Sequence, residues 1–275
     1  MKKGCFSLVV SWPKKDSPYI LKCPLLKGPL ARQKWFAHVQ REKIFLGKYA
    51  PKRSGVILPK IMDYSEYAQI QTKISGVPLT EDVYQSLPRT DRLKIAKQLA
   101  SFFLKLHQKT KMQANIKRKN ISVRSCQHFF DQDEKTLCLK CQTALKRYCP
   151  KTSLCICITD LKAEHILFNQ KTKRVGLVDF GAAQVAFPED EFKLLNPIRS
   201  HMSLDMLKQI ILTYNKQGGC EAIPVEFIKY NLILGAMKEI YETYKGRVIS
   251  DQEKKRVKKI LFDFVAKVEK GFSPL

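Results

Sequence analysis

Two short runs of the sequence, 160–168 and 178–181, carry residue types that could act on a phosphate group. The first run, Asp-Leu-Lys-Ala-Glu-His-Ile-Leu-Phe, opens on an aspartate, and the second, Val-Asp-Phe-Gly, holds another aspartate 19 positions later. Phosphoryl transfer needs one carboxylate aimed at the incoming hydroxyl and a second that holds magnesium on the phosphates. Both runs have β-prone flanks, and their separation leaves room for a short hairpin between them.

These runs resemble two motifs of the protein-kinase-like superfamily. Residues 160–165 are similar to its catalytic loop, Asp-Leu-Lys-x-x-Asn, and residues 179–181 reproduce its Asp-Phe-Gly. The resemblance implies that Asp160 acts on the acceptor hydroxyl, that Asp179 holds the metal, and that Lys162 offsets charge on the transferring phosphoryl group. Asp-Phe-Gly alone is a weak signal, but its combination with Asp-Leu-Lys at this distance is specific.

The catalytic-loop match departs from the superfamily at two places. Ile158 and Thr159 stand where the family has His-Gly or His-Arg, and His165 replaces the metal-binding asparagine. Histidine at this place also resembles the lipopolysaccharide-core sugar kinases. Two interpretations of His165 stay open: a structural hydrogen-bonding residue beside a single metal held by Asp179, or a metal ligand. An imidazole ligand suits manganese better than magnesium, which prefers oxygen donors.

The N-terminal residues contain further parts that the resemblance requires. Lys22 ends the β-prone run Tyr-Ile-Leu-Lys, where the family places its phosphate-binding lysine, and Glu42 is placed to be its ion-pair partner. Gly4 to Ser7, Gly-Cys-Phe-Ser, resembles the abbreviated phosphate loop of the small-molecule branch, in which backbone N–H groups hold phosphate. We therefore expect Gly4, Ser7, Lys22 and Glu42 to belong to a binding site for ATP.

The residues after position 70 indicate one branch of the superfamily. Thr72 and Ile74 fall where the segment between the lobes would hold adenine. No Ala-Pro-Glu closes an activation segment, since the Phe-Pro-Glu at 187–189 comes too soon after Asp-Phe-Gly. The Gly-x-Pro-Leu at 76–79, a helix ending in Phe-x-x-Leu-His107 and an all-helical tail instead resemble aminoglycoside phosphotransferases and choline-kinase-type enzymes.

This resemblance implies an ATP-dependent phosphotransferase that moves the γ-phosphate onto a hydroxyl of a small aminoglycoside-, sugar- or choline-like acceptor. A kinase acting on protein or glycan, and a degenerate nucleotide-binding pseudokinase with an interaction role, stay open as alternatives. Thr159 and His165 favour the pseudokinase, whereas the joint presence of Lys22, Asp160 and Asp179 argues against it. No motif identifies the acceptor.

The periodicity of the chain predicts a β-rich first lobe and a mainly helical second lobe, and the resemblance implies that this α+β, bilobal arrangement is the protein-kinase-like fold. The N-terminal lobe, 1–75, should contain a small antiparallel sheet of about five strands and one long helix that carries Glu42. The larger lobe, 76–275, should be mainly helical, hinged near Gly76, with a cysteine-rich insertion at 108–157. The predicted strands are 5–12, 19–23, 56–61, 68–74, 156–158 and 175–178, and the predicted helices are 33–49, 91–107, 203–214, 224–244 and 251–272.

Composition and charge restrict the class of protein. The 275 residues are 44% hydrophobic and 10% aromatic, which is typical of a folded domain. No apolar run approaches the ~20 residues of a membrane span, and the N-terminal run lacks a signal-peptide cleavage site, so we expect a cytoplasmic protein. A formal net charge of +25 attracts polyanions, so nucleic acid or an anionic membrane surface is a candidate partner. We expect the small-molecule acceptor to be anionic or sugar-like. No nucleic-acid-binding motif accompanies this charge.

Six of the nine cysteines lie within 126–157. Cys138-x-x-Cys141 is half a zinc site, and the other spacings match no established pattern. Zinc binding and buried reduced thiols are both open, and the second is favoured. His107 ends an apolar helix and is predicted to be a hydrogen-bonding residue of the core. The histidines for which the sequence suggests no partner are His38, His128 and His201.

Overall fold

A computed structural model describes residues 2–3, 7–25, 28–113, 121–194, 202–218, 222–242 and 250–272. Gly4, the first residue of the predicted phosphate loop, lies outside these ranges, as does His201. Ser7 is described through its backbone only.

The N-terminal part of the chain forms a five-stranded antiparallel sheet. Its spatial order is β1-β2-β3-β5-β4. The strands are β1 (Lys2–Lys3), β2 (Ser7–Trp12), β3 (Tyr19–Pro24), β4 (Ile61–Tyr64) and β5 (Gln69–Thr72). The predicted hairpin of β2 and β3 is confirmed. The predicted strand at 56–61 is wrong, because β4 begins only at Ile61: Pro59 has no N–H to donate to a ladder, and Ile57 makes a single bridge to Gly176 instead.

One long helix, α1 (Pro29–Ile44), packs on this sheet and continues into a π-helical turn, Phe45–Tyr49. A proline in its first turn suits a helix start, where the missing N–H has no intrahelical partner in any case. Its buried residues Trp35, Val39 and Glu42 are spaced by four and three positions, so they share one face. The helix therefore carries Glu42 toward the sheet, as predicted.

The rest of the chain is mainly helical, which confirms the predicted α+β fold class. Its core packs α3 against α6, α4 against α7, and α7 against α8. None of the helices in the described parts of the chain combines the length and apolarity needed to span a bilayer. The helices are α2 (Glu81–Ser86), α3 (Arg89–Lys109), α4 (Gln132–Arg147), α5 (Pro188–Leu194), α6 (Leu204–Lys216), α7 (Val225–Glu242) and α8 (Asp251–Gly271).

Five short strands position the two aspartate-containing runs. β6 (Val77–Pro78), β8 (Ile166–Asn169) and β9 (Arg174–Leu177) form one small antiparallel sheet, and β7 (Cys155–Ile158) pairs with β10 (Ala183–Ala186). Asp160 follows β7 and Asp179 follows β9, and the hairpin predicted between them is β8–β9. Each of the two runs thus follows one of these short strands, β7 for the first and β9 for the second.

Candidate active site

A buried ion pair joins the sheet to the long helix. Lys22 Nζ on β3 lies 3.3 and 3.4 Å from the two carboxylate oxygens of Glu42 on α1. The Glu42 side chain is fully buried. It also accepts hydrogen bonds from Gln69 Nε2 at 3.0 Å and from the backbone N–H of Phe180 at 3.4 Å. An unpaired buried carboxylate is costly, so these donors hold Glu42 in one arrangement. The predicted pair is present, whereas Gln69 was not predicted.

The Asp-Phe-Gly turn is anchored on both sides of its aspartate. Asp179 has a φ of 70°, an uncommon conformation for a residue other than glycine. The fully buried ring of Phe180 stacks on Phe45 with the ring centroids 4.8 Å apart. A Cβ on Gly181 would lie 2.1 Å from the imidazole ring of His38, so a larger residue would displace that ring. The turn is therefore held against the helix that carries Glu42.

Two imidazoles contact the Asp179 carboxylate. Oδ1 lies 3.0 Å from His38 Nε2, and Oδ2 lies 3.5 Å from His165 Nε2. Burial raises the pKa of Asp179, but the hydrogen bond with His38 and the charges of Lys22 and His165 outweigh this effect and leave the pKa well below its usual range. Asp179 is therefore a carboxylate throughout the neutral range.

His38, for which the sequence suggested no partner, is thus part of the site. It lies four residues before Glu42, and positions i and i+4 share a helix face. This spacing from Glu42 is the sequence feature that could have identified His38 as a residue of the site.

The Asp160 side chain is more exposed than that of Asp179. The Asp160 side chain is 56% exposed, and one of its oxygens lies 3.4 Å from Lys162 Nζ. The Asp160 carbonyl lies 3.0 Å from His165 Nδ1, which donates to it. In the neutral imidazole this leaves Nε2 without a proton, facing Asp179. His165 therefore makes the structural hydrogen bond of one interpretation while its other nitrogen stays available to a ligand.

Thr72 and Ile74, predicted to lie beside adenine, stand at the end of β5. Thr72 Oγ1 accepts a hydrogen bond from the Lys60 backbone N–H at 2.9 Å. Ile74 lies over Gly176, where a Cβ would be 2.3 Å from its Cγ2 atom. The neighbouring Gln71 is fully buried, and neither of its amide atoms has a hydrogen-bond partner among the described residues. Nothing in these contacts joins Thr72 or Ile74 to the Lys22–Glu42 pair.

The donor set beside Asp179 suits a divalent cation of the kind that phosphoryl transfer uses. The ionised Asp179 supplies carboxylate oxygens. His165 supplies a lone pair on Nε2 when its imidazole is neutral and Nδ1 donates to the Asp160 carbonyl. Carboxylate oxygens bind magnesium or manganese, and an added imidazole favours manganese. These two residues would hold the ion.

Sequence comparison finds no relatives: no protein-family model and no curated protein sequence matches the chain. Solved structures do match. An aminoglycoside phosphotransferase, APH(2'')-Ib with ADP bound, is 15% identical, with 99% of this chain and 93% of that chain covered and a TM-score of 0.60. The GDP complex of aminoglycoside 2'-phosphotransferase-IIIa is 16% identical, with 97% and 91% covered and a TM-score of 0.65. A choline/ethanolamine kinase family protein from Mesorhizobium loti is 14% identical, with 98% and 90% covered and a TM-score of 0.54.

Identities this low establish the fold alone. The chain has the protein-kinase-like fold of the aminoglycoside phosphotransferases and choline/ethanolamine kinases, along nearly its whole length.

Proposed function

We propose that this protein is an ATP-dependent phosphotransferase that moves the γ-phosphate onto a hydroxyl group of a small molecule. The observation that carries the proposal is the continuous set of contacts from Lys22 through Glu42 and Phe180 to the neighbouring Asp179 and on to His165. A cation, a metal-binding carboxylate and a loop carboxylate are the parts that position and stabilise a transferring phosphoryl group.

Each of these residues has one task in the proposed reaction. Lys22 binds phosphate oxygens of ATP, and Glu42 holds the lysine in place. Asp179 and His165 hold magnesium or manganese, which neutralises charge on the phosphates when bound. Gly4, Ser7, Thr72 and Ile74 retain their predicted roles in binding ATP, the first two at its phosphates and the last two at adenine.

Asp160 accepts the proton of the attacking hydroxyl. Its exposed carboxylate can reach an acceptor that enters from solvent, and Lys162 at 3.4 Å keeps a positive charge beside it. As the new O–P bond forms, the hydroxyl proton passes to Asp160, the bond to the leaving phosphate breaks, and ADP departs. Lys162 offsets the negative charge of the transferring group.

The acceptor we propose is sugar-like or anionic. Solved structures of this fold include complexes with the aminoglycosides streptomycin and gentamicin. Those ligands are cationic, whereas a protein with a formal net charge of +25 attracts anions and repels cations. The same charge makes nucleic acid or an anionic membrane surface a secondary partner. We also propose that the two lobes divide between residues 75 and 76. The location that we propose for the protein is the cytoplasm.

A nucleotide-binding pseudokinase is the second candidate function. The contact of His38 Nε2 with Asp179 Oδ1 favours it, because this hydrogen bond occupies one oxygen of the proposed metal ligand. A pseudokinase would bind nucleotide without transferring phosphate.

Thermal-shift titration with ATP and a turnover screen together test both candidates. A ligand that binds only the native state raises the melting temperature, so ATP with magnesium or manganese should do so. ADP release should then be measured with neutral sugars, sugar phosphates, aminoglycosides, choline-like amines and basic proteins. We expect turnover with a sugar or an anionic sugar derivative. No shift at millimolar ATP with either metal would overturn the phosphotransferase proposal, and a shift without turnover on any acceptor would select the pseudokinase.

A further inference from the structure

Two thiols and an imidazole meet in the core behind the Asp160 loop, outside the proposed active site, and a carboxylate is hydrogen-bonded to the imidazole. Cys155 and Cys157 are two residues apart on β7, so their side chains point to the same face of the strand. His107 comes from the last turn of α3 and Glu191 from α5. All four residues are at most 4% exposed. We call them the Cys155 cluster.

Three donor atoms of the cluster already lie close together. The two sulfur atoms are 3.5 Å apart, and Cys157 Sγ is 3.9 Å from His107 Nε2. These three atoms all lie within 4.8 Å of one another. Zinc bonds of about 2.3 Å to sulfur and about 2.0–2.1 Å to nitrogen, in a tetrahedron, place two sulfurs about 3.8 Å apart and a sulfur and a nitrogen about 3.6 Å apart. The separation of the two sulfurs and that of Cys157 Sγ from His107 Nε2 are each within a few tenths of an ångström of those values.

The histidine has the surroundings that a metal ligand requires. Glu191 Oε2 lies 2.6 Å from His107 Nε2, which places an oxygen donor beside the nitrogen, and Glu191 Oε1 accepts the backbone N–H of Ile158 at 3.0 Å. On the other side of the ring, His107 Nδ1 lies 3.0 Å from the Tyr214 hydroxyl. Metal-bound histidines use their second nitrogen in such a hydrogen bond, which fixes the ring and its tautomer.

We propose that Cys155, Cys157 and His107 bind one zinc ion, and that Glu191, whose carboxylate turns from His107 Nε2 toward the metal, completes a closed tetrahedral site. Binding releases the two thiol protons to solvent. The proton that joins His107 Nε2 to Glu191 is replaced by the metal, and the neutral imidazole carries its proton on Nδ1 instead, where the Tyr214 oxygen accepts it. Thiolate and imidazole donors select zinc over magnesium or calcium.

A metal at this place would connect three segments that shape the active site. β7 ends at Ile158, two residues before Asp160, while α5 follows the Asp-Phe-Gly turn and α3 forms the core of the helical part. With four protein ligands no position remains for substrate, so the role is structural. The prediction of His107 as a hydrogen-bonding core residue is confirmed, and we add a metal to that role.

The half site predicted from sequence, Cys138-x-x-Cys141, provides the matched control. Both cysteines are buried on α4, but within the described ranges they do not meet a third metal-ligating side chain. Cys138→Ser therefore removes a buried thiol of the same kind without touching the Cys155 cluster.

Metal analysis of the full chain, expressed with zinc in the medium and purified without chelator, tests the proposal. Inductively coupled plasma mass spectrometry should find about one zinc ion per chain in the wild type and in Cys138→Ser. It should find less than about 0.2 zinc ions per chain in Cys157→Ser. Circular dichroism should show that both variants are folded. Less than about 0.2 zinc in the wild type, or equal zinc in the two variants, would overturn the proposal.

A second measurement uses only the wild type, so it stands even if Cys157→Ser does not fold. Chelator-treated protein titrated with Co²⁺ should develop thiolate-to-cobalt charge-transfer bands and the intense visible bands of tetrahedral Co²⁺. These bands should saturate at about one cobalt per chain and disappear when Zn²⁺ is added. If no thiolate-to-cobalt band develops, the Cys155 cluster is a hydrogen-bonded group of the core and not a metal site.

Discussion

The side chains around Lys22 and the side chain of Asp160 differ in their burial and in the number of their hydrogen-bond and ion-pair partners. The Lys22 network, which we define as Lys22, His38, Glu42, Gln69 and Asp179, is tied together by several buried or half-buried hydrogen bonds and one buried ion pair. The Asp160 carboxylate is more than half exposed and has one lysine beside it. A group that binds phosphate and metal benefits from a fixed geometry, whereas a group that meets an incoming acceptor must be accessible.

This difference predicts that substitutions in the two regions fail in different ways. Changes in the Lys22 network should affect stability and nucleotide binding together. A change of Asp160 itself should affect turnover alone. The predictions below run from the largest expected effect to the smallest.

Asp160→Asn should lower kcat by about 10²- to 10⁴-fold, because a general base contributes that much to a rate. The affinity for ATP with metal should stay within about twofold, since the carboxylate acts on the acceptor and not on the nucleotide. Steady-state kinetics and an ATP thermal-shift titration separate the two quantities. A parallel loss of ATP affinity would place Asp160 among the nucleotide-binding residues and remove the distinction between the regions.

Glu42→Ala should lower the free energy of unfolding by about 3–5 kcal/mol, because it leaves Lys22 buried without its partner. Urea denaturation measures this change. Asp160→Asn is the matched control, and its stability should change by less than about 0.5 kcal/mol, as for an exposed residue. Equal stabilities of the two variants would contradict the proposed difference between the regions.

Much of the fold and part of the Lys22 network could be predicted from the sequence. Asp-Leu-Lys and Asp-Phe-Gly have a recognisable spacing, and the resemblance that they carry implied the Lys22–Glu42 pair on a predicted strand and a predicted helix. The strand at 56–61 was wrong because apolar residues outweighed Pro59 in the pattern. Helix α4 was missed because its cysteines and polar residues hid the helical period, although its capping box, Asp131 with Glu134, was present in the sequence.

Contacts between distant residues were harder to predict. Gln69 lies 27 positions from Glu42 and His38 lies 141 positions from Asp179, so neither contact has a local signature. The Cys155 cluster has the same origin: a Cys-x-Cys pair on a strand is complete only when α3 and α5 pack beside it. Packing, and not a motif, brings these side chains together.

His165→Asn should shift the metal preference of nucleotide binding from manganese toward magnesium. The substitution replaces an imidazole with an amide oxygen, the donor type that magnesium prefers. We expect the ratio of the two metal affinities to change by about tenfold, or about 1.4 kcal/mol. Thermal-shift titrations with ATP and each metal measure it, and an unchanged ratio would mean that His165 does not contact the metal.

His38→Ala should reduce stability at neutral pH and have less effect in acid. The hydrogen bond with His38 helps to hold the Asp179 pKa below its usual value of about 3.9. A carboxyl group whose pKa is lower in the folded state stabilises the fold above its unfolded pKa and loses that contribution as the pH falls toward the folded pKa. The stability difference between wild type and variant should therefore shrink as the pH falls below about 4. Urea denaturation at about pH 7 and at about pH 3 tests this, and an equal difference at the two pH values would contradict it.

Gln71→Met should raise the free energy of unfolding by about 1 kcal/mol. This is the smallest effect that we predict, and it is opposite in sign to the losses of stability expected for Glu42→Ala and His38→Ala. Both amide atoms of Gln71 are buried without a hydrogen-bond partner among the described residues, and an apolar side chain of similar size avoids that cost.

Gln69→Met is the matched control. Gln69 lies on the same face of the same strand as Gln71, but its amide donates to the buried Glu42 carboxylate. We expect Gln69→Met to lower stability by about 1.5–3 kcal/mol, as for hydrogen bonds to charged groups. Urea denaturation of the pair decides the matter: if both variants lose stability, Gln71 has a partner of its own, and the Lys22 network extends along β5 to the predicted adenine site.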